Sequence, residues 1–272
     1  MAIPLEDNFT DIISKAQRGL QLSDSQLAEK SGAALEAIHR LRDGTFDRKA
    51  IDRIAPVLQL EAQALSDLAE EKWQPNDINI DGLAQFVTVY GDMNVNAYLV
   101  WDPESGEAAA FDTGADSRAL LELSASDRLT IKLILLTHAH PDHVADLDRL
   151  AEATQAPVFA PRREKAPGAE SIEEGKHFTL GKLRIDSRLT CGHSPGGMTY
   201  VIHGLERPVA IVGDSLFAGS MGGGNVSYED AVRNNLEKIL VLPNETILCP
   251  GHGPLTTVGE EKKHNPFFAG RV

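Results

Sequence analysis

The segment THAHPDHVAD, residues 137–146, contains three histidines and two aspartates within ten positions. Side chains two residues apart in an extended segment point the same way, so His138 and His140 can bind one metal ion together. Asp142 and His143 are adjacent and diverge, so they can serve a second ion at the start of the following helix. Imidazole nitrogens combined with a carboxylate favour Zn²⁺. The segment therefore predicts a metal site for two ions.

Three further segments place a candidate metal ligand beside glycine. They are CGHSPG with His193, IVGDS with Asp214 and PGHGP with His252. Each follows a run expected to form a strand, and functional groups gather where the strands of an α/β sheet end. Five of the nine histidines in the chain therefore occupy contexts typical of metal ligands.

Short runs of β-favouring residues predict the strands that must position these motifs. A helix is expected from about Val144 to Ala153. Strands interleaved with helices predict a layered α/β domain. The predicted strands cover residues 86–90, 97–101, 108–111, 131–136, 157–160 and 199–202, with a hairpin through Leu180-Gly181 and further runs ending at Gly213 and Cys249.

The first part of the chain has a different pattern. Apolar residues recur at spacings of three and four over residues 22–58, without strand-like alternation, which predicts helices. Ser23 and Ser25 can cap one of these helices, and Gly32 fits the turn to the next. The sequence therefore predicts a small helical domain, 1–75, and a larger α/β domain, 76–272.

The ordered motifs of the larger domain resemble the metallo-β-lactamase superfamily over roughly residues 80–272. This resemblance implies an αββα sandwich with the metal site along one sheet edge. It implies that His138, His140 and His193 hold the first metal. Asp142, His143 and His252 would hold the second metal, and Asp214 would bridge both. The expected cofactors are two Zn²⁺ ions, or alternatively Fe²⁺ or a mixed iron–zinc pair.

Two neighbouring metal ions lower the pKa of a bridging water and polarise the carbonyl that the resulting hydroxide attacks. Asp142 is expected to act in catalysis by orienting this nucleophile. Residues 250–268 and 212–223 are similar to segments of short glyoxalase II-like hydrolases, which implies a small thioester or ester as substrate. Gly223 stands where such relatives carry Arg or Lys, so the rim formed by residues 222–224 has no charge to hold a carboxylate-bearing thiol.

Two other functions compete with this interpretation. A persulfide dioxygenase of the same superfamily would hold a single iron with His138, His193 and Asp214. The presence of all seven candidate ligands favours two metals instead. A non-enzymatic regulator would use the metal domain to sense a ligand and the helical domain to bind DNA. Turnover above the metal-free background would argue against the regulator.

Residues 22–58 resemble the helix-turn-helix of phage-repressor-type regulators. The resemblance implies a five-helix bundle whose second motif helix, about Ala34 to Asp43, enters the major groove of DNA. The start of this helix departs from the family, because Leu35 and Glu36 offer little to base edges. DNA binding is therefore disfavoured against a helical bundle that mediates dimerisation or another protein contact. The cations available to DNA are Arg40, Arg42, Arg48 and Lys49.

The composition is that of an ordinary globular protein, and the charge argues against two classes of function. The chain has 272 residues and a net charge of −14, which argues against a general binder of nucleic acids or anionic membranes. It begins MAIPLEDNF, with acidic residues where a secretory signal needs basic ones. Two cysteines cannot form a disulfide framework. We therefore expect a cytoplasmic protein.

Overall fold

In the computed structural model, which describes residues 3–271, two six-stranded sheets pack face to face between layers of helices. The helices are Phe9–Gly19 (α1), Asp24–Ser31 (α2), Leu35–Arg42 (α3), Arg48–Val57 (α4), Ala62–Ala69 (α5), Arg118–Ser126 (α6), Leu147–Thr154 (α7), Tyr228–Asn234 (α8) and Val258–His264 (α9). The strands are Leu83–Tyr90 (β1), Met93–Trp101 (β2), Glu107–Phe111 (β3), Thr130–Leu135 (β4), Val158–Pro161 (β5), Glu170–Ile172 (β6), His177–Leu180 (β7), Leu183–Leu189 (β8), Met198–His203 (β9), Val209–Gly213 (β10), Ile247–Pro250 (β11) and Thr256–Thr257 (β12).

The first sheet has the strand order β1-β2-β3-β4-β5-β6 and is mixed. Its first three strands are antiparallel, and β3 to β6 are parallel. The second sheet has the order β12-β11-β10-β9-β8-β7, in which only β10 and β11 pair in parallel within the described chain. The inner faces share a core that includes Tyr98, Phe111 and Tyr200. This arrangement agrees with the expected α/β sandwich.

The predicted strands fall on observed ones, with ends that shift by a few residues. The expected helix from Val144 begins later, at Leu147, because residues 141–146 form a turn. In that turn the His143 amide donates a hydrogen bond to the His140 carbonyl, at 3.0 Å. The delay keeps Asp142 and His143 on a loop, where both side chains can reach the same site.

The N-terminal helices begin and end close to the predicted positions. The Ser23 side chain caps α2 by accepting from the Gln26 amide, and Gly32 ends α2 with φ of +66°. Of all residues, glycine adopts this left-handed conformation at the lowest cost in free energy. The helix α3 lies within the expected range, with Ala34 and Asp43 as its flanking residues. A helical region is therefore present, while its function as a helix-turn-helix stays a prediction.

The α1–α5 helices share one hydrophobic cluster with the outer face of the second sheet. Ile12, Ile38 and Ile54 belong to the same buried cluster as Val201 and Ala210. Sheet surfaces that are apolar on both faces must be covered on both, and these helices supply part of that cover. On the other side, α6 and α7 cover the first sheet. No helix in residues 3–271 is long and apolar enough to cross a membrane.

A buried carboxyl group on α9 fastens the segment that follows β10. Glu261 accepts hydrogen bonds from the Gly219 amide at 3.1 Å, the Thr256 hydroxyl at 2.7 Å and the Asn265 side-chain amide at 2.7 Å. Burial raises the pKa of Glu261 to about 8, although these hydrogen bonds favour the charged form. Ionisation of this group therefore costs the folded protein stability.

The buried state of Glu261 predicts a pH-dependent stability. Its folded-state pKa of about 8 exceeds the ordinary value of 4.5, so the folded protein holds this proton more tightly than the unfolded chain. The associated stability is complete below the ordinary pKa and is lost as the pH rises toward the folded pKa. Between pH 6 and pH 9, the free energy of unfolding of wild type should fall by about 3 kcal/mol relative to Glu261→Gln.

Urea denaturation of both metal-free proteins across this range measures the difference directly. The exposed Glu122→Gln variant on α6 serves as a matched control, and its difference from wild type should not change with pH. A Glu261→Gln difference that is equally independent of pH would contradict the assigned pKa.

Candidate metal centre

The seven predicted ligands converge at one edge of the sandwich. His138, His140, Asp142 and His143 lie on the loop between β4 and α7, and His193 lies between β8 and β9. Asp214 directly follows β10, and His252 follows β11. Parallel pairing of β10 with β11 places the ends of both strands side by side. Residues separated by more than 110 positions along the sequence therefore meet at one site because the strand ends meet.

The first group of ligands consists of His138, His140, His193 and Asp214, whose ligand atoms lie within 4.8 Å of one another. His140 Nδ1 is 3.0 Å from His138 Nε2 and 3.1 Å from His193 Nε2. Ligands of one tetrahedral Zn²⁺ at ordinary bond lengths lie about 3.3 Å apart. Three imidazole nitrogens that converge this closely suit a single metal ion.

The second group consists of Asp142, His143 and His252, all buried and again within 4.8 Å of one another. Asp142 Oδ2 is 3.4 Å from Nε2 of His143 and 3.4 Å from Nε2 of His252. A carboxylate with two imidazoles is a donor set that suits a divalent transition metal. The structure therefore brings together both predicted sets.

Asp214 lies between the two groups. Its Oδ2 atom is 3.3 Å from His193 Nε2 and 3.4 Å from His252 Nε2, while Oδ1 is 3.3 Å from His143 Nε2. Within residues 3–271, neither His143 Nε2 nor Asp214 Oδ1 has a hydrogen-bond partner, although both are buried. Buried polar atoms without partners are costly, so their convergence fits a site built for metal ions.

The charges of the metal-free site are strongly coupled. Burial by itself would lower the pKa of His143, but the carboxylates of Asp214 and Asp112 raise it to about 10. Burial also disfavours charge on His252, whose pKa Asp214 and Asp142 nevertheless raise to about 11. The pKa of His138 is well below its usual range because of burial and the neighbouring His143. The metal-free centre thus balances its two aspartates with protons that bound cations would replace.

Residues 90–252 match the family model described as "Metallo-beta-lactamase superfamily". This range covers more than half of the chain and includes every predicted ligand. The chain belongs to the metallo-beta-lactamase superfamily. Its membership explains the order of the ligand motifs and the mixed sheets that carry them.

Relatives of this chain include proteins that are named as hydrolases. The chain is 31% identical to the probable metallo-hydrolase YqgX of Bacillus subtilis, over 66% of this chain and 95% of the relative. It is 29% identical to the hydroxyacylglutathione hydrolase GloC of Haemophilus influenzae, over 64% of this chain and 92% of the relative. The chain is therefore similar over most of these relatives' length to proteins that are named as hydrolases.

Two solved structures share the fold at similar identity. One is the BLEG-1 B3 metallo-beta-lactamase, with 32% identity and a TM-score of 0.59, covering 69% of this chain and 100% of that chain. The other is TTHA1623 in a di-iron-bound form, with 31% identity and a TM-score of 0.53, covering 67% of this chain and 100% of that chain. The shared fold is thus found in a protein described as a B3 metallo-beta-lactamase and in a protein that binds two iron ions.

The superfamily site is supported by an aspartate that the sequence analysis did not single out. Asp112, directly after β3, accepts hydrogen bonds from the Thr137 amide and the Thr137 hydroxyl, both at 2.7 Å. Its Oδ2 atom also lies 2.9 Å from His143 Nδ1. A carboxylate only accepts, so Nδ1 carries a proton, and Nε2 is the atom that would bind a metal ion once the cation has displaced its proton. The position of Asp112 after a buried run, like that of Asp214, is the signal that could have revealed it.

Other ligands are oriented through their second ring nitrogen by backbone carbonyls. His193 Nδ1 donates to Gly223 O at 3.0 Å, and His252 Nδ1 donates to Asn94 O at 2.5 Å. Such contacts fix the ring orientation and the tautomer of a metal-binding histidine. Gly223 therefore orients His193 through its backbone carbonyl. The sequence had indicated only that this position lacks the Arg or Lys of relatives.

Two further features hold the ligand loops together. Glu164 accepts from the Ala139 amide at 3.2 Å and from the Gly196 amide at 2.7 Å, which links the loops of His140 and His193. A Cβ atom at Gly251 would lie 2.1 Å from Asp214 Oδ1, so only glycine fits beside His252. Glu164 carried no recognisable signal in the sequence, because its role depends on two distant loops meeting.

The predicted DNA-contacting cations lie on α3 and α4, and three of them are near aspartates. Arg40 is 3.6 Å from Asp47, Arg42 is 2.8 Å from Asp24, and Arg48 is 2.7 Å from Asp52. Lys49 is exposed. DNA binding through these residues stays a prediction, and their pairing reduces the charge offered to phosphates.

Proposed function

We propose that the chain is a dinuclear metal-dependent hydrolase of a small thioester or ester. The observation that carries this proposal is the convergence of two buried ligand groups, joined by Asp214. When bound there, two divalent cations supply an activated water near neutral pH and polarise the carbonyl under attack. All seven predicted ligands take part in this assignment, and the helices α1–α5, which pack on the second sheet, have an accessory role.

The completeness of the second group supports two ions rather than one. A mononuclear iron site would use only His138, His193 and Asp214. Asp142, His143 and His252 would then have no metal ion to bind, although all three are buried. Burying an aspartate and two histidines together costs desolvation free energy, and a second cation bound by them would offset that cost. The di-iron form of the relative TTHA1623 supports two metals, and it keeps iron beside zinc as a candidate.

A thioester substrate is supported by the relative named hydroxyacylglutathione hydrolase GloC. Asp142 is buried, and its carboxylate lies within 3.4 Å of the imidazole nitrogens of both His143 and His252. In this position its carboxylate accepts a hydrogen bond from the attacking water and orients the water's lone pair. Asp142 therefore combines a binding and a catalytic role.

Metal analysis combined with a substrate panel tests this function. Protein purified without a histidine tag or chelator should contain about two zinc or iron ions per chain, measured by plasma mass spectrometry. It should hydrolyse at least one member of a panel of acyl thioesters, lactones and esters. Chelation should abolish turnover, and addition of the native metal should restore it.

The alternatives give different results in the same experiment. One iron per chain, with oxygen consumed in the presence of glutathione persulfide, would replace the hydrolase with a persulfide dioxygenase. Metal binding without any turnover, together with enrichment of one DNA sequence in a binding selection, would favour a ligand-sensing regulator. Either result would reject the proposed hydrolase.

A further inference from the structure

The N-terminal segment, residues 3–15, lies against two loops of the metal centre. Gly253 follows the ligand His252, and a Cβ atom built on Gly253 would lie 3.2 Å from the Glu6 amide and 3.6 Å from the Glu6 Cβ. Glu6 is therefore in close contact with the loop that carries His252. It belongs to the helical region that precedes the superfamily match, which begins at residue 90.

Two side chains fasten this segment to the loop that follows Asp214. Lys15 donates to the Met221 carbonyl at 2.9 Å and also contacts Asp7. Asp7 in turn accepts from the Ser220 hydroxyl at 2.5 Å. These contacts are largely buried, with Lys15 and Asp7 side chains 15% and 8% exposed, so they hold residues 3–15 in one position.

The same lysine also links the segment to the metal-binding histidines through an aromatic ring. Lys15 Nζ lies 5.0 Å from the centroid of the Phe217 ring, which meets the His252 ring edge-on at 5.6 Å. An ammonium group at this distance is attracted to the face of the ring. The N-terminal segment thus reaches the second metal group from two sides, through Gly253 and through Phe217.

Within the N-terminal segment, the negative charge of Glu6 is not compensated by a cation. The Lys15 ammonium and the Asp7 carboxylate compensate each other. Glu6 is partly buried, and it takes part in no side-chain hydrogen bond or ion pair with residues 3–271. Burial raises the pKa of Glu6 above its ordinary value. The nearby His252 lowers this pKa, and the nearby Asp214 raises it. Glu6, whose carboxylate has no such partner, therefore lies directly beside the loop that carries His252.

We propose that Glu6 is a specificity-determining residue, which forms an acidic wall of the metal site and selects against thiols that carry carboxylates. This inference rests on the proposed function, because it concerns the thiol portion of the thioester. The glycines at 222–224 carry no cation that would offset the charge. The preferred leaving thiol is accordingly neutral or cationic, and a glutathione thioester is disfavoured by repulsion.

Binding of three free thiols to the metal-loaded protein tests the charge of the wall without relying on turnover. Glutathione is anionic, N-acetylcysteamine is neutral and thiocholine is cationic, and calorimetry gives their dissociation constants. Relative to wild type, Glu6→Gln should bind glutathione about 5-fold more tightly and thiocholine about 5-fold more weakly. Binding of N-acetylcysteamine should remain unchanged. Glu29→Gln, an exposed substitution on α2, is the control and should alter none of the three.

Turnover of the matching acetyl thioesters then separates this inference from the function on which it rests. Charge-dependent thiol binding without hydrolysis of any thioester would reject the proposed hydrolase but support the role of Glu6. Equal shifts for all three thiols, no shift for any of them, or no thiol binding at all would overturn the proposed wall. A larger, opposite preference in Glu6→Lys would add support for a charge effect.

Discussion

Replacing Asp214 with alanine should abolish hydrolysis. Asp214 lies between the two ligand groups and contacts His143, His193 and His252 at 3.3–3.4 Å. Without it, the two groups lose the carboxylate that contacts histidines of both, and the buried imidazoles lose the negative charge that compensates theirs. We expect kcat to fall on the order of 10³-fold or more, together with loss of at least one metal per chain.

Steady-state kinetics and metal analysis of the same preparation measure both effects. Asp127→Ala, at the exposed end of α6, provides a control that removes an aspartate without touching the site. Circular dichroism of both variants checks that the fold is retained. A near-wild-type rate for Asp214→Ala would show that the dinuclear mechanism is wrong.

Substitution of Asp112 by asparagine should weaken metal binding without removing any ligand. Asp112 Oδ2 accepts from the Thr137 hydroxyl and lies 2.9 Å from the protonated Nδ1 of His143. An amide NH₂ in this place would oppose the Nδ1 proton, so the ring would change its tautomer and turn a proton toward the metal. Loss of such an outer contact typically lowers metal affinity or activity about 10- to 100-fold.

Competition against a chelator of known affinity measures the change at Asp112, and kcat is determined at saturating metal. If tautomer control is the cause, excess metal should restore much of the activity of Asp112→Asn. Asp127→Asn is the isosteric control and should bind metal like wild type. Unchanged affinity and unchanged turnover in Asp112→Asn would exclude a role of Asp112 in orienting His143.

The convergence of the candidate metal ligands was predictable because their signals are local. His138 and His140 occupy alternate positions after a buried strand, and Asp214 and His252 each sit beside glycine where a strand ends. Strand ends and glycine turns can be identified from neighbouring residues alone. The strands and the α/β fold followed from the same kind of evidence.

The residues that position the candidate ligands and their loops were harder to predict from the sequence. Asp112 offered a local signal, since it also follows a buried strand, but nothing in its neighbourhood reveals the contact with His143. Glu164 and Glu261 act by joining loops that are far apart along the chain. Their value depends on which backbone amides meet them in the folded protein, and no spacing rule contains that information.

By itself, the sequence determined the ligand types, their order and the fold that gathers them, because each depends on short-range patterns. Only the tertiary structure decided that the N-terminal helices cover the second sheet and that residues 3–15 lie beside the metal centre. The helical periodicity of residues 22–58 shows that an apolar face exists. Hydrophobic burial has no direction, so that periodicity does not specify the surface against which the face will pack.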